Sequence, residues 1–497
     1  MLSHSILTSY SVLLMLPETA IPSLTSDLKS EIHRVFALQK QHQWEVGRTT
    51  ARQRIAKLKR LHQVILDHRL QLVEALWADL HKCEAEVNVS ELGVVLHEIR
   101  FVIQHLASWM TPKRVGASIP LFRSHNEIIY EPKGVCLVLS PWNFPFNLTF
   151  DPLVSAIAAG NCVILKPSEY SPNTNKVMQQ IVTACFPPGE VSMFEGDATV
   201  AQELLGLPFN HVFFTGSPSV GKVVMRAAAE HLASVTLELG GKSPVIIDET
   251  ADLDTASAKI AWLKVINAGQ TCIAPDYLLV HEQSHDALLE KLINKLQQFY
   301  GTTPEAVKAT PDICRMVGLR HFQRVKHLLD DALQQGARLV YGGQTDELEL
   351  YIAPTILADV PDTAKIWEEE IFGPILPIRK FQQLAEAITY VNARPKPLSL
   401  YIFSNADRNI THILAETRCG GVTVNDCGPH FYNPELPFGG SNNSGIGNCH
   451  GEFGFLEFTN QKGVLYQAKW LPVTDFFHPP YGGKLRDWML DGLVKWF

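Results

Sequence analysis

The run Gly134-Val-Cys-Leu-Val-Leu-Ser140 is a short, continuous apolar segment of the kind that forms a strand buried on both faces of a sheet. A helical pattern follows at 152–159, and Cys162-Val-Ile-Leu165 is a second strand of the same kind. The alternation continues to residue 239, with strands predicted at 191–194, 211–214 and 235–239 and helices near 200–205 and at 219–231. Strands that alternate with helices form a parallel sheet covered on both faces. The sequence therefore predicts an α/β protein.

The segments on either side of this region have patterns of their own. Residues 26–110 have the apolar spacing of helices. A second α/β series contains a strand at 277–280 and a helix at 287–300, and a turn-rich region follows at 341–374. A last strand at 463–467 lies outside both series. A chain of 497 residues exceeds the usual size of one core, so two lobes with a cleft are expected.

Composition excludes some classes of function. The 43 basic and 51 acidic side chains give a net charge of −8, and no Lys/Arg stripe is present, so nucleic acid is not expected as a partner. Nine cysteines are scattered along the chain without a CxxC pair. This pattern favours a reducing, cytoplasmic location and argues against disulfides or structural zinc.

Neither terminus has the pattern of a secretory signal or of a membrane-spanning helix. Residues 6–16 are apolar but include two serines, and no Lys or Arg precedes Lys29, so residues 1–25 are predicted to form a disordered extension. No window of 18 apolar residues occurs. From Leu485 to Phe497, apolar and charged residues alternate at helical spacing. Such a helix packs against protein or lies peripherally on a membrane surface.

Two short runs carry side chains suited to covalent chemistry. Asn267-Ala-Gly-Gln-Thr-Cys272 places a thiol behind a glycine, and Leu237-Glu-Leu-Gly-Gly-Lys242 places a carboxylate, Glu238, 34 residues before that thiol. A buried, unreactive cysteine is the alternative for Cys272. If both side chains reach one cleft, the thiol can form an acyl intermediate and the carboxylate can activate the water that releases it.

Two segments that end predicted strands have features of a nucleotide site. Residues 213–221 join a strand to a helix through small residues, so backbone N–H groups could approach a phosphate; an ordinary turn is the alternative. Lys166 and Glu169 follow an earlier strand, where parallel sheets bind nucleotides; a solvated ion pair is the alternative. The Glu169 carboxylate would accept from ribose hydroxyls and repel a 2′-phosphate, which favours NAD over NADP.

Two more motifs have competing interpretations. In Pro141-Trp-Asn-Phe-Pro145, the Asn143 amide either stabilises an oxyanion or forms a structural turn. The string His281-Glu-Gln-Ser-His285 matches the HExxH motif of zinc proteases. Ser284 is expected to cap the following helix, so the two histidines straddle a strand–helix boundary and no metal site is predicted.

These motifs resemble those of the aldehyde dehydrogenases over about residues 44–462. The matching motifs occur in family order: Pro141 to Pro145 (PWNFP), Lys166 to Glu169 (KPSE), Phe213 to Ser217 (FFTGS), Leu237 to Pro244 (LELGGKSP), Gly269 to Cys272 (GQTC), Glu369 to Pro374 (EEIFGP) and Pro437 to Gly440 (PFGG). The run Cys272-Ile-Ala-Pro-Asp-Tyr277 and the helical start resemble the class 3 branch, which includes fatty and aromatic aldehyde dehydrogenases.

The resemblance implies a Rossmann-like parallel-sheet NAD-binding domain, an α/β catalytic domain and a small β projection for oligomerisation. The expected boundaries are 26–235 for the NAD domain with 112–133 in the projection, 236–440 for the catalytic domain, 441–470 for the return and its oligomerisation strand, and 471–497 for a tail with the amphipathic helix. Dimers are usual in this branch, so a homodimer is implied.

The resemblance also implies roles for single residues. Cys272 would be the nucleophile, Glu238 the general base and Asn143 the oxyanion donor, with Phe144 in the aldehyde channel. The implied cofactor residues are Lys166 and Glu169 at the adenosine ribose, Gly216, Ser217, Val220 and Gly221 at the pyrophosphate, Glu370 at the nicotinamide ribose and Phe372 beside the nicotinamide ring. The cofactor would be NAD, with NADP tolerated in the branch, and no metal is needed.

The implied activity is oxidation of an aldehyde to its acid through a thioester on Cys272. Medium- or long-chain aliphatic, aromatic and isoprenoid-derived aldehydes all remain open as substrates. Transfer of the acyl group to coenzyme A and a catalytically silent family member are the alternatives. Two departures from the branch, Leu263 in place of Gly and Ser441-Asn-Asn443 in place of a Val-Gly pattern, leave the width of the substrate site open.

Overall fold

The structure is a computed structural model that describes residues 24–117, 124–467, 478–480 and 482–496. The predicted extension 1–25 lies outside the described residues, apart from its last two positions. The helical start predicted for residues 26–110 is present as α1 (Ser26–Gly47), α2 (Ala51–Asp67), α3 (Arg69–Leu80), α4 (Glu84–Val87) and α5 (Gly93–Trp109), with a π-helical turn at Asn88–Leu92.

Side-chain caps fix where the first helices begin. The Thr25 hydroxyl accepts from the N–H of Leu28 at the start of α1. At the start of α2, Thr50 and Gln53 form a reciprocal capping box. Buried apolar side chains of α2, α3 and α5 then pack into one core with the sheet that follows. The helices thereby form a fixed layer behind that sheet.

A six-stranded sheet forms the centre of the first α/β region. After the outlying strands β1 (Lys113–Val115) and β2 (His125–Pro132), the chain forms β3 (Val135–Leu139), α6 (Asn147–Ala159), β4 (Cys162–Lys166), α7 (Pro172–Cys185), β5 (Val191–Met193), α8 (Ala198–Leu205), β6 (His211–Gly216), α9 (Pro218–Ala229) and β7 (Ser234–Leu239). Strands β3 to β7 are parallel, in the order β7-β6-β3-β4-β5. Because Val135–Leu139 and Cys162–Lys166 are buried on both faces, they read as continuous apolar runs.

A seven-stranded sheet forms the second α/β region. Its first elements are β8 (Pro244–Ile247), α10 (Leu253–Val265), β9 (Tyr277–His281), α11 (Glu282–Tyr300), α12 (Pro304–Ala309), α13 (Leu319–Gln334), β10 (Arg338–Tyr341), β11 (Thr345–Asp346), β12 (Tyr351–Ile352), β13 (Thr355–Ala358) and β14 (Ile375–Phe381). It is completed by α14 (Leu384–Asn392), β15 (Ser399–Phe403), α15 (Asp407–Glu416) and β16 (Gly421–Val424). The strand order is β10-β13-β14-β9-β8-β15-β16, parallel except for β10.

The last part of the chain returns to the first sheet. After α16 (Pro429–Tyr432), the short strand β17 (Gly445–Ile446) pairs antiparallel with β7, and α17 (Gly451–Glu457) and β18 (Thr459–Tyr466) follow. The strand predicted at 463–467 is thus longer, and it joins β1 and β2 in a three-stranded antiparallel sheet. The last described element is α18 (Lys484–Trp496). The α/β fold class is therefore confirmed.

The topology brings four predicted site residues to one edge. Asn143 follows β3, Lys166 ends β4, Ser217 follows β6 and Glu238 lies one residue before the end of β7. Carboxyl ends of parallel strands lie along the same edge of a sheet, which is where ligands of open α/β sheets bind. The candidate site is therefore built on this edge.

Candidate active site

A distorted turn precedes Cys272. Helix α10 ends at Val265, and in the 3₁₀ turn that follows Asn267 and Ala268 both have positive φ, +51° and +52°. Gly269 also has a positive φ, and a β-carbon there would lie 2.3 Å from the carbonyl oxygen of Gly373. Only glycine fits this position. The chain is thereby held in a strained path that ends at the partly buried Cys272.

Hydrogen bonds tie Asn143 to this turn. Its Nδ2 donates to the carbonyl of Gln270 at 3.1 Å, and its own carbonyl accepts from Nδ2 of Asn267 at 2.7 Å. The ammonium of Lys82, which is fully buried, also donates to the Asn143 carbonyl at 3.1 Å. Since an amide nitrogen carries two hydrogens, one is engaged by Gln270 and the other can serve a second acceptor. Asn143 is thus held against the backbone of Gln270, which lies two residues before Cys272.

Glu238 is a buried carboxylate with little hydrogen bonding. It lies on β7 opposite Gly445 of β17, and it is only 6% exposed. Neither of its carboxylate oxygens has a partner of regular hydrogen-bond geometry within the described structure, and the weak thiol donor of Cys449 lies beside them. Burial raises the pKa of Glu238 to about 8, with the nearby His450 opposing part of that shift. A carboxylate with a pKa in this range is suited to accept a proton near neutral pH.

Two carboxylates flank Cys272. Burial raises the pKa of the Cys272 thiol to about 12, and the charges of Glu370 and Glu238 contribute further. The resting cysteine is therefore a thiol rather than a thiolate. Formation of the nucleophile requires removal of the proton by a neighbouring base or a change in the charges around the sulfur.

Glu370 lies against the glycine pair that follows β7. A β-carbon on Gly240 would be 2.0 Å from Oε2 of Glu370. Burial, together with Asp276, raises the pKa of Glu370 to about 8. Phe372 has a positive φ of +47° and its ring makes an edge contact with Trp142, with centroids 5.4 Å apart. Glu370 and Phe372 therefore flank the loops that carry Glu238 and Asn143.

The other predicted nucleotide residues lie at the edge of the sheet. The Ser217 hydroxyl caps α9 by accepting a hydrogen bond from the N–H of Val220. The side chain of Val220 is exposed. Gly216 and Gly221 lack room for a side chain, since β-carbons there would meet Phe214 at 2.5 Å and Leu239 at 2.7 Å. These glycines allow the strand and helix to pack closely.

Lys166 and Glu169 form an ion pair, with Nζ and Oε2 3.4 Å apart. The lysine side chain is almost fully buried and the glutamate side chain is 44% exposed. Burial lowers the pKa of Lys166, and Glu169 opposes that change. The pair thus offers one buried cation and one accessible carboxylate at the end of β4.

A cavity that the motifs did not reveal is lined by residues of the π-helical turn, α5 and the segment around α16, together with His450. Its volume is about 350 Å³, and its lining includes Val89, Val94, His97, Glu98, Phe431 and His450. Phe431 packs edge-on against Phe438, which contacts the apolar cluster that includes Cys272 and Cys449. A larger cavity of about 480 Å³ lies around α7 and β5, away from Cys272.

The predicted channel residue Phe144 does not line this cavity. It is buried beneath the ammonium of Lys82, which lies 4.1 Å from the centroid of its ring. The π-helical turn and α5 supply that lining instead, together with the segment around α16. Short motifs did not predict this contribution, because apolar residues of a helix look the same at a core position and at a cavity wall.

The HExxH string does not form a zinc-protease motif. The expected N-cap Ser284 is wrong, since α11 begins at Glu282 with His281 as its N-cap, and the Ser284 hydroxyl donates to the carbonyl of Asp248. His281 hydrogen-bonds the carbonyl of Gln382, and His285 pairs with Asp286. Among the residues that the structure describes, no group of three His, Cys, Asp or Glu is arranged to hold a metal ion.

The two departures from the family pattern lie beside the site. Leu263 is buried in α10, and its methyl groups lie about 3.4–3.5 Å from a β-carbon built on Gly428. Asn442 has a positive φ of +56°, and its side-chain oxygen accepts from Nζ of Lys396 at 2.5 Å. Both residues are thus accommodated without opening the turn at Cys272.

Comparisons with known proteins place this geometry in a family. The model of the aldehyde dehydrogenase family matches residues 16–464. The chain is 43% identical over 430 residues to 4,4'-diaponeurosporen-aldehyde dehydrogenase of Staphylococcus aureus, covering 86% of this chain and 92% of that protein. It is 42% identical over 445 residues to aldehyde dehydrogenase family 3 member A2 of Rattus norvegicus, covering 89% and 90% of the two chains.

Solved structures agree with these relatives. The substrate-bound state of Staphylococcus aureus AldH superposes with a TM-score of 0.87 at 41% identity, covering 92% of this chain and 99% of that one. The Pseudomonas syringae (P. syringae) indole-3-acetaldehyde dehydrogenase in complex with NAD+ has a TM-score of 0.81 at 26% identity, with 88% and 89% covered.

The fold and these relatives define an oxidoreductase. The chain belongs to the aldehyde dehydrogenase family and is similar to its class 3 members. It is therefore an enzyme that oxidises aldehydes to carboxylic acids. The resemblance read from the motifs is confirmed.

Proposed function

We propose that the protein oxidises aldehydes through a thioester on Cys272, with NAD as the hydride acceptor and water as the acyl acceptor. The observation that carries the proposal is that the Asn143 amide is hydrogen-bonded to the turn that precedes Cys272. The buried Glu238 carboxylate is close enough for its charge to raise the pKa of the Cys272 thiol. A nucleophile, an oxyanion donor and a base of suitable pKa are the groups that acyl transfer to water requires.

The residues of the chain act in sequence. The Cys272 sulfur, once deprotonated, attacks the aldehyde carbon. The resulting oxyanion accepts hydrogen bonds from the second hydrogen of Asn143 Nδ2 and from the backbone N–H of Cys272. NAD, which Lys166, Glu169 and Glu370 would hold, would supply the acceptor for the hydride that the thiohemiacetal on Cys272 loses. A thioester remains on Cys272, and Glu238 takes a proton from the water that attacks it. The acid leaves and the thiol is regenerated.

The residues at the sheet edge fit a dinucleotide. The exposed start of α9 at Ser217 and Val220 offers helix N–H groups to a pyrophosphate, and Gly216 and Gly221 keep this start close to the sheet. Lys166 and Glu169 would bind the adenosine ribose. Glu370 would accept from the nicotinamide ribose, and Phe372 would lie beside the nicotinamide ring.

Water is favoured over coenzyme A as the acyl acceptor. The charge of Glu238 acts on the Cys272 thiol, and the raised pKa of Glu238 suits activation of water. A thiol acceptor would not need this base. The two alternatives predict different products, a free acid or an acyl-coenzyme A, which mass spectrometry separates.

The cavity favours an elongated apolar aldehyde. Its walls at Val89, Val94 and Phe431 are apolar, and the similarity to the class 3 relative of Rattus norvegicus covers 89% of this chain. Medium- or long-chain aliphatic and aromatic aldehydes are the substrates we propose. A polyene aldehyde is an additional candidate, because one relative is named for such a substrate.

The remaining parts suggest how the enzyme assembles. Within the described part of the chain, β1 is an edge strand of the three-stranded sheet and is exposed along Lys113–Val115, which suits pairing with a second copy of this chain in a homodimer. Helix α18 carries Trp488 and Val494, which are largely exposed, and it is a candidate for contact with a membrane surface. Among the described residues, none of the helices is both long and apolar enough to cross a bilayer. We propose a cytoplasmic enzyme, with or without peripheral membrane contact.

Single-turnover kinetics with an aldehyde panel and NAD test the proposal. The wild-type enzyme should give a burst of NADH followed by steady turnover, and Cys272→Ser should abolish both. Glu238→Gln should retain a burst of about one NADH per site with slow turnover, because acylation precedes the step that needs the base. Near-normal turnover in Cys272→Ser would overturn the proposal.

A further inference from the structure

Unpartnered polar atoms cluster between Glu238 and the 350 Å³ cavity. Neither Oε1 nor Oε2 of Glu238, nor Nε2 of His450, nor Oδ1 of Asp151 has a partner of regular hydrogen-bond geometry in the described structure. The three residues are 6%, 5% and 6% exposed. Buried polar atoms are nearly always hydrogen-bonded, and when protein groups do not satisfy them, enclosed water does. Such a cluster is the setting for a chain of ordered waters.

The cluster leads from the base toward the cavity. The Cys449 thiol, one residue before His450, lies beside the Glu238 carboxylate, and the charge of His450 acts on that carboxylate. On its other side, Nδ1 of His450 lies 3.1 Å from Oδ2 of Asp151. Glu98 accepts from the N–H of Gly451 at 2.8 Å, and both Glu98 and His450 line the cavity. A path of titratable groups therefore leads from the buried carboxylate to an open space.

The reaction creates a need for such a path. Glu238 takes one proton for every thioester hydrolysed, and its buried carboxylate has only the weak thiol donor of Cys449 beside it. Before the next turnover that proton must leave. Direct release to bulk water is blocked because the residue is 6% exposed.

We propose that His450, paired with Asp151, relays the proton of Glu238 to Glu98 and the cavity water. The proposal rests on the proposed function and extends it. The proton passes from the Glu238 carboxyl, directly or through one enclosed water, to Nε2 of neutral His450. The imidazolium is held by the Asp151 carboxylate and then releases one proton to Glu98, from which the proton passes to cavity water. Only O–H and N–H bonds change, and one proton leaves per acid formed.

The electrostatics of the cluster agree with a relay. Burial raises the pKa of Glu238 to about 8, and burial together with Asp151 raises that of Glu98 to about 7. Burial lowers the pKa of His450, but Asp151 and other carboxylates outweigh it and raise the net value. Proton transfer is efficient between groups of similar pKa. Cys449 and Glu457 also face Glu238, and His450 receives the charges of Glu98 and Glu238 besides Asp151.

The chain offers a matched control for His450. His430 is likewise buried, and both histidine rings pack against Phe438, with centroids 5.8 Å and 5.6 Å away. The ring nitrogens of His430 are hydrogen-bonded to the hydroxyls of Ser399 and Thr423. Loss of its imidazole perturbs the same ring cluster without touching the carboxylates.

The experiment compares His450→Gln and His430→Gln in the full-length enzyme, with hexanal and NAD, by stopped-flow NADH absorbance. His450→Gln should keep the burst amplitude, lower the steady-state kcat about 10-fold or more, and recover when imidazole is added, because a diffusible base replaces the relay. His430→Gln should keep the wild-type pH profile and show no recovery with imidazole.

The relay is overturned if His450→Gln has the wild-type kcat and pH profile, or if its kcat falls without recovery in imidazole. If that variant does not fold, Glu98→Gln decides. It should lower kcat with an unchanged burst and move the acidic limb of the kcat profile, and an unmoved limb overturns the relay. Absence of a burst in the wild-type enzyme would instead refute the proposed function itself.

Discussion

Oε2 of Glu370 lies 2.0 Å from the place where a β-carbon on Gly240 would stand. The loop after β7 and the loop before β14 can approach this closely only because residue 240 has no side chain. The motif that contains Gly240 thus sets the position of a carboxylate that is 130 residues away in the chain.

Gly240→Ala should therefore displace Glu370. We expect the KM for NAD to rise about 10-fold or more with little change in the unfolding midpoint, since the carboxylate can swing toward solvent while the core is untouched. Steady-state kinetics over a range of NAD concentrations measure the effect. Gly189→Ala is the control, because a β-carbon there meets its nearest atom at an ordinary 3.5 Å. An unchanged KM in Gly240→Ala contradicts the assignment of Glu370.

The buried ion pair of Lys82 and Glu91 supports Asn143. Nζ of Lys82 lies 2.7 Å from Glu91 and 3.1 Å from the Asn143 carbonyl, and both charged side chains are fully buried. Lys82→Met leaves Glu91 without its partner, so the free energy of unfolding should fall by about 3–5 kcal/mol. Urea denaturation measures this loss.

A second substitution separates stability from activity. In Lys82→Met/Glu91→Gln the uncompensated charge is gone and the glutamine oxygen can still accept from the N–H of Asn147, so most of the stability should return. The NADH burst of the double variant should be slower than that of the wild-type enzyme, because the Asn143 carbonyl has lost the Lys82 ammonium as a donor. A double variant that regains the wild-type burst rate would show that Lys82 does not hold Asn143.

The raised pKa of Glu238 predicts how stability depends on pH. Its pKa is about 8 in the folded protein, above the ordinary value of 4.5, so the folded state binds more protons than the unfolded state between these values. The free energy of unfolding therefore falls as pH rises from about 4.5 to about 8, by about 1.4 kcal/mol per unit of pKa shift as an upper bound.

Glu238→Gln removes this ionisation. The variant should have a higher Tm than the wild-type enzyme at pH 9, and the two should agree at pH 5, where the carboxyl of the folded protein is neutral. Differential scanning calorimetry at both pH values checks the result. A lower Tm of the variant at pH 9 would mean that the charged form is the stabilised one.

The strands of the first parallel sheet could be predicted from the sequence, because runs such as Val135–Leu139 are continuously apolar and buried on both faces. In the second sheet only β9 was predicted, at residues 277–280. Boundaries were less predictable. Helix α11 begins at Glu282 rather than near Ala287, because the His281 ring caps it and no standard N-cap residue marks the position.

The site was predictable where glycine motifs mark a turn, as at Gly269 before Cys272. It was not predictable where ordinary helix residues form the wall of the cavity. Val94 and Glu98 lie on α5, and His450 is the residue before α17. They are more than 350 positions apart in the chain, and only the packed fold brings them together. The same holds for Lys82, whose role depends on a tertiary contact with Asn143.

Glu169 predicts the cofactor preference of the enzyme. Its side chain is 44% exposed beside the buried ammonium of Lys166, so its charge faces the solution where the adenosine ribose would lie. Like charges a few ångströms apart near a protein surface repel by about 1–4 kcal/mol, which is the penalty that a 2′-phosphate would meet there.

Glu169→Gln removes the charge and keeps the side-chain shape and an acceptor for ribose hydroxyls. We expect kcat/KM for NADP to rise about 10-fold while that for NAD changes little, as measured with one aldehyde and both cofactors. Glu230→Gln is the matched control, since it removes the same charge at the opposite end of α9, where the residue is exposed and far from the helix start. Equal changes for NADP in the two variants would mean that net charge, rather than the position of Glu169, sets the preference.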